Sequence, residues 1–198
     1  MGFAPNEILC EERPMDQTPS IDSLWIIDPL DGTKEFIQGL PEFAVSIAYR
    51  KKDKFVIGAI YNPDADFFAS WDENGFFLKE TSIPELHNHR SAILCSRSEW
   101  KRGLFEKLQL SDPIIPLGSI AYKLALVAAG KAKATISLQP KKSWDIAAGI
   151  ALVEGNGGRV SDLKGNAIDF SDPLILFEKG LVATHRAQDL EKILRELE

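Results

Sequence analysis

Residues 25–36 read Trp-Ile-Ile-Asp-Pro-Leu-Asp-Gly-Thr-Lys-Glu-Phe, and the rest of the chain is organised around them. Leu24 to Ile27 is an apolar run with the character of a buried strand. It is expected to stop at Asp28, with a second carboxylate, Asp31, three residues on. Pro29 and Gly32 favour a fixed turn over a loose loop. Two carboxylates at the mouth of a core strand repel unless a cation lies between them. Mg²⁺, which prefers hard oxygen ligands and phosphate oxygens, is the expected ion. Asp28 and Asp31 could bridge two such ions, with the Leu30 carbonyl as a further oxygen. The N–H groups of Gly32 and Thr33 form an anion nest of the kind that holds a phosphate oxygen. The Thr33 hydroxyl could orient a water.

Upstream, Ile8-Leu9-Cys10 is a second short apolar stretch that delivers acids, Glu11 and Glu12. Downstream, Phe43–Tyr49, Phe55–Tyr61, Phe67–Trp71 and Phe76–Leu78 are short strands joined by Lys-Asp, Asn-Pro-Asp and Asn-Gly turns, the pattern of an antiparallel meander. The polar, Pro-containing stretch 81–91 marks a boundary, so 1–85 reads as an antiparallel-sheet half and 86–198 as an α/β half. In the second half, strands are expected at Ala92–Cys95, Ile114–Leu117, Ala134–Leu138, Arg159–Ser161 and Leu181–Ala183. Helices are expected from Ser98 through Leu104, Phe105 and Leu108; over Ile120–Ala129; over Trp144 to about Glu154, capped by Ser143; and over the C-terminal Leu190, Ile193, Leu194, Leu197 repeat. This alternation implies a parallel or mixed layer and an α/β sandwich with two sheets.

The second candidate constellation is Lys141-Lys142-Ser143-Trp144-Asp145-Ile146-Ala147-Ala148-Gly149. Small Ala147, Ala148 and Gly149 let this helix approach another backbone closely. Asp145 at the crowded helix start could then reach the cations held by Asp28 and Asp31. An acid there also suits the helix dipole on its own account.

The composition excludes several classes. The 198 residues carry a net charge of −6, with 44% hydrophobic and 26% charged residues. That is an ordinary globular make-up with a proper core, and its acidity argues against a grip on a nucleic-acid polymer. No apolar run approaches the roughly 20 residues of a membrane span. The N-terminus lacks the pattern of a signal peptide. Cys10 and Cys95 read as reduced, core-type thiols, so a cytoplasmic protein is expected. His87, His89 and His185 belong to no recognisable motif.

Asp-Pro-Leu-Asp-Gly-Thr followed much later by Trp-Asp-x-Ala-Ala-Gly resembles the lithium-sensitive, Mg²⁺-dependent phosphatases of the inositol monophosphatase superfamily. The resemblance implies a layered αβαβα sandwich of the inositol monophosphatase and fructose bisphosphatase type. It implies two or three Mg²⁺ ions, with Glu11, Asp28, the Leu30 carbonyl, Asp31 and Asp145 as ligands. Gly32 and Thr33 would contact the scissile phosphate, and Thr33 with Glu11 would position a metal-bound water for in-line attack on a phosphomonoester. Lys34-Glu35-Phe36 and Lys141-Lys142 resemble the CysQ-like 3′(2′),5′-bisphosphate nucleotidases, which convert 3′-phosphoadenosine 5′-phosphate to AMP. Arg97, Gly118, Ser119, Lys123, Lys142 and Asp145 would bind the rest of the substrate. Position 99 is Glu where that branch has His, and the Gly118-Ser119 spacing is nearer the inositol phosphatases, so inositol 1-phosphate is the alternative substrate. The resemblance further implies about sixty residues ahead of the Glu pair, on the order of two long helices, one carrying an aspartate that helps activate the water. The fold is therefore expected in an N-terminally shortened form. Its exposed sheet face would favour a homodimer, and a metal- or nucleotide-binding module without turnover is the rival reading.

Overall fold

A computed structural model describes residues 7–13, 19–20, 22–81, 89–172, 174 and 176–198. Six strands form the first sheet in the order β1-β2-β3-β4-β5-β6: Ile8–Cys10, Ser23–Asp31, Ala44–Lys51, Lys54–Asn62, Phe67–Asp72 and Gly75–Glu80. From β2 to β6 it is an antiparallel meander, as the turn dipeptides predict. The exception is β1, which runs parallel to β2 with Cys10 opposite Ile27. The second sheet has the order β10-β11-β9-β7-β8, from Arg159–Ser161, Leu181–Thr184, Ala134–Ser137, Ile93–Ser96 and Ile114–Leu117. It is mixed: β7 pairs parallel with β8 and β9, while β11 is antiparallel to both its neighbours. All strands of the first sheet precede residue 81 and all those of the second follow 92. His87 and most of the expected boundary stretch lie outside the described residues.

Helices α3 (Ile120–Ala128) and α4 (Ser143–Gly155) form the layer between the sheets. Neither is amphipathic in the usual sense. Every residue of α3 is buried, and α4 is buried from Ile146 through Val153. A helix apolar on all sides belongs between two other layers, and the main core joins Leu24, Ile26 and Ile60 of the first sheet, Leu124 and Ile146 of the helices, and Leu181 and Ala183 of the second sheet. Strand alternation then builds the next layer. In β11, Leu181 and Ala183 face this core, while Val182 joins Ile93, Cys95 and Ile136 in a smaller cluster under Leu190 and Ile193 of α5 (Leu190–Leu197).

The close approach expected of Ala147–Gly149 is present. A Cβ on Gly149 would lie 2.3 Å from Leu124 Cδ1 of α3, and one on Gly58 of β4 would lie 2.7 Å from Ala151 Cβ and 2.9 Å from the Ala148 carbonyl. Backbone contact at both faces locks α4 between its neighbours.

Three local expectations differ. β2 does not stop at Asp28 but runs to Asp31, with the register against β3 shifting between Asp28 and Asp31. Pro29 has no N–H to give a ladder, so the strand bulges there and resumes. The helix expected through Leu104–Leu108 ends early: α2 spans Arg97–Lys101, and Gly103, at φ 73°, takes a left-handed conformation that ends it. A short helix not expected from the sequence, α1 (Thr33–Ile37), starts directly after Gly32, which is itself at φ 90°.

Candidate active site

The bulge in β2 is where the chemistry collects. Asp28 is 1% exposed, and its Oδ1 accepts the Leu30 N–H at 2.9 Å, closing a tight turn over Pro29. Gly32 follows in a conformation only glycine adopts easily, and no side chain would fit there. A Cβ would lie 2.7 Å from the Glu42 carbonyl. The chain then turns into α1, so that Gly32 and Thr33 stand at its start. The Thr33 hydroxyl donates to the Leu30 carbonyl at 2.9 Å. That bond leaves the hydroxyl oxygen free to accept a hydrogen bond, while one lone pair of the Leu30 carbonyl is already engaged.

Asp145 arrives from the other half of the chain. The helix begins with Ser143, one residue earlier than expected. The cap is Lys142, whose N–H is accepted by Asp145 Oδ2 at 2.8 Å. This pins the carboxylate over the helix start. Asp28, Asp31 and Asp145 thereby offer oxygens within 4.8 Å of one another. Glu11 follows directly on β1 and its N–H is accepted by the Ile27 carbonyl at 3.2 Å, which sets it beside Asp28. It is exposed and stands outside the three-carboxylate cluster.

Burial and the neighbouring carboxylates act in one direction, upward, with the nearby Lys141 opposing at Asp145. Asp28 is pushed up to about 8, first by burial, then by Asp31, with Glu11 and Asp145 adding to it and the Leu30 N–H opposing. Asp145 is pushed up to about 7, again by burial first and Asp31 second. Carboxylates so arranged are short of positive charge. A hard, all-oxygen donor set of this size fits Mg²⁺, and Asp28, Asp31 and Asp145 are the residues that would hold it.

Asp31 has a second set of partners. Its Oδ2 accepts the Ser119 hydroxyl at 2.6 Å and the Ala121 N–H at 2.7 Å, so it also caps α3. Ser119 sits at φ 45°, a strained conformation for a residue with a side chain. The turn is held from two sides. The Gly118 N–H donates to Glu42 Oε2 at 2.7 Å, and the Lys123 ammonium donates to the carbonyls of Leu117, Gly118 and Ser119 at 2.9–3.1 Å. Gly118 has no room for a Cβ, which would lie 2.3 Å from Glu35 Cγ.

A cavity of about 200 Å³ opens over these groups, lined by Asp31, Gly32, Gly118, Ser119 and Asp145 among others. Of the cations expected there, Lys123 lines it while Arg97 and Lys142 do not, and Lys34 and Lys141 line it in addition. Lys123 lines it but is 2% exposed and spends its three donors on backbone carbonyls; burial pushes it down to about 8, with Asp31 opposing. Arg97 is paired with Glu42 through both Nε, at 3.1 Å, and Nη2. Lys142 is exposed, with its ammonium 5.9 Å from the Trp144 ring centroid, and is not among the lining residues. Lys34 and Lys141 do line the cavity. Lys141 is directed by Glu99, a buried carboxylate that accepts the Ser137 hydroxyl and the Leu138 N–H, both at 2.8 Å, and lies 3.6 Å from the Lys141 ammonium. Glu42 and Glu99 were not expected from the sequence. A buried acid beside a strand end is a signal for neither without the partners in space.

Fold and site together define a two-sheet α/β sandwich with a carboxylate cluster suited to divalent cations at the junction of its halves. A family model described as the inositol monophosphatase family matches residues 2–198, and the chain belongs to that family. It is 34% identical to an inositol-1-monophosphatase of Mesorhizobium japonicum, over 79% of this chain and 63% of that one. It is 35% identical to the 3′(2′),5′-bisphosphate nucleotidase CysQ of Shigella flexneri, over 74% of this chain and 62% of that one. The chain thus spans less than two thirds of the length of these two relatives. Among solved structures, the inositol monophosphatase of Thermotoga maritima superposes with a TM-score of 0.75 at 26% identity, covering 96% of this chain and 73% of that one. Among the described residues, no helix is long and apolar enough to cross a membrane.

Proposed function

We propose that this chain carries the active site of a Mg²⁺-dependent phosphomonoesterase, acting on a small phosphorylated molecule. One observation carries the reading: Asp28, Asp31 and Asp145, from opposite halves of the chain, converge within 4.8 Å beside a Gly-Thr turn and a cavity lined by both lysines and acids. Bound divalent ions would neutralise phosphoryl charge and make a coordinated water acidic. The chain's own residues do the rest. The N–H groups of Gly32 and Thr33 receive a phosphate oxygen at the nest. The Thr33 hydroxyl oxygen, its proton committed to Leu30, accepts from the attacking water, and Glu11 would help position that water. Phosphate and water are then held in line, and no side-chain nucleophile is required.

For the substrate, 3′-phosphoadenosine 5′-phosphate is the preferred reading, because Lys34 lines the cavity and could take a second phosphate. Inositol 1-phosphate is the alternative, favoured by the pairing of Arg97 with Glu42, which withdraws one cation from a second anionic group. Release of inorganic phosphate from the two compounds, with Mg²⁺ and with EDTA, tests both. Release that needs Mg²⁺ and is lost in Asp28→Asn supports the enzyme. Absence of Mg²⁺-dependent release from either compound refutes it for this chain. Calorimetric binding of Mg²⁺ or nucleotide without turnover would instead support a binding module.

A further inference from the structure

A second cleft, of about 700 Å³, shares no lining residue with the cavity over the carboxylates. Helix α4 connects the two. Asp145 lies in its first turn, and Ile150, Ala151, Glu154 and Gly155 line the cleft from its last two turns. The opposite wall is aromatic: Phe55 of β4, Trp71 of β5, and Phe170. Gly155 lets the Trp71 indole lie against the helix backbone, where a Cβ would stand 2.3 Å from Trp71 Cε2. Phe55 and Phe170 meet edge to face with centroids 4.9 Å apart. Size and lining match those of small-molecule sites, which are mostly apolar with a few polar groups placed for orientation.

The polar group here is Arg50. It is 3% exposed and lines the cleft. Its Nη1 donates to the Phe170 carbonyl, and its Nε has no acceptor among the described residues. A guanidinium has five donors, and burial works against its charge while the nearby Asp53 favours it; among the described residues no carboxylate is paired directly with it, which leaves its burial costly. A carboxylate is the group whose two oxygens fit the guanidinium fork. The other charged residues lining the cleft are Asp53, Lys54, Glu154 and Asp169, all exposed at its rim. Three acids against one lysine make the entrance unfavourable to dianions such as phosphate monoesters. This separates the cleft from the carboxylate site, whose expected substrate is a phosphate ester.

We propose that this cleft binds a small aromatic monocarboxylate, its carboxylate on Arg50 and its ring against Phe55, Trp71 and Phe170. Isothermal titration of the full chain with 3-phenylpropanoate tests it, with 3-phenylpropan-1-ol and phenylphosphonate as comparators. The expected result is saturable 1:1 binding of the carboxylate, at least tenfold tighter than either comparator. Arg50→Met, and Ala167→Trp at an exposed position of the cleft, each weaken it at least tenfold. Absence of saturable binding by the unmodified chain, equal affinity for the alcohol, or undiminished binding in Ala167→Trp would overturn the assignment. Should Arg50→Met fail to fold, the alcohol comparison and Ala167→Trp decide alone.

Discussion

The Glu42 carboxylate accepts the Gly118 N–H at 2.7 Å, joining the segment before β3 to the turn after β8. The next residue, Ser119, donates to Asp31 at 2.6 Å. Glu42 therefore reaches a candidate metal ligand through one residue of backbone and one hydroxyl. Glu42→Ala is expected to weaken Mg²⁺ binding about tenfold, the scale of a lost outer-shell partner. Glu42→Gln keeps an acceptor for Gly118, and Arg97→Met keeps the whole carboxylate, so both should stay near the parent. The Mg²⁺ dependence of thermal stability reads this out. An unchanged midpoint in Glu42→Ala would show that the turn holds without it.

Lys123 staples the turn before α3. Its ammonium satisfies three carbonyls inside the protein while 2% exposed. Lys123→Met removes the side-chain donor from all three carbonyls, the Ser119 carbonyl keeping only the N–H of residue 123, and should cost roughly 2–4 kcal/mol of stability, measured by urea unfolding. A change confined to KM, with stability intact, would point to substrate contact instead.

Gly149 stands where α4 meets α3, with no room for a methyl group against Leu124. Gly149→Ala gains helix propensity in α4 but overpacks the helix pair. Overpacking of this kind costs about 1–3 kcal/mol, more than the gain of about 1 kcal/mol from replacing glycine in a helix. A lowered denaturation midpoint is expected, and a raised one would mean that the two helices can separate at little cost.

Asp162 supplies a pH test away from the metal site. Burial raises its pKa, but the side chain and N–H of Asn166, the Lys164 N–H and Lys179 outweigh that, so the net direction is down. A depressed carboxylate contributes stability above its unfolded value near 3.9, and the contribution is lost as pH falls through the folded value. Asp162→Ala should therefore be less stable than the parent at pH 7 by roughly 1–3 kcal/mol. Part of the gap should close when the same melts are run near pH 3. A gap that widens in acid would contradict the assignment.

Much of the fold was legible because local chemistry spells it. The alternating strands, the Asn-Gly turn at 74–75 and the stretch 120–128, apolar but for Lys123, each dictate their element without help from the rest of the chain. Where the sequence misled, a long-range partner or a special backbone angle decided. Gly103 ended α2 before Leu104, and the ladder to β3 carried β2 past Pro29 to Asp31. Arg97, Lys123 and Lys142 look alike as basic residues. In space one is paired, one is buried and one lies over a tryptophan ring.

The sequence by itself determined the chemistry on offer: two carboxylates around a Pro-Leu turn, a Gly-Thr pair after them, and an acid at the start of a helix thin enough to pack on backbone. Those are consequences of residue type and short-range geometry. Only the tertiary structure decided that Asp31 serves both the carboxylate cluster and the cap of α3, that Glu42 and Glu99 organise the cavity wall, and that Arg50 lies buried in a second cleft. Each depends on which surfaces meet when β3, α3 and α4 pack. That is set by the summed burial of the whole core, and no single stretch of the chain encodes it.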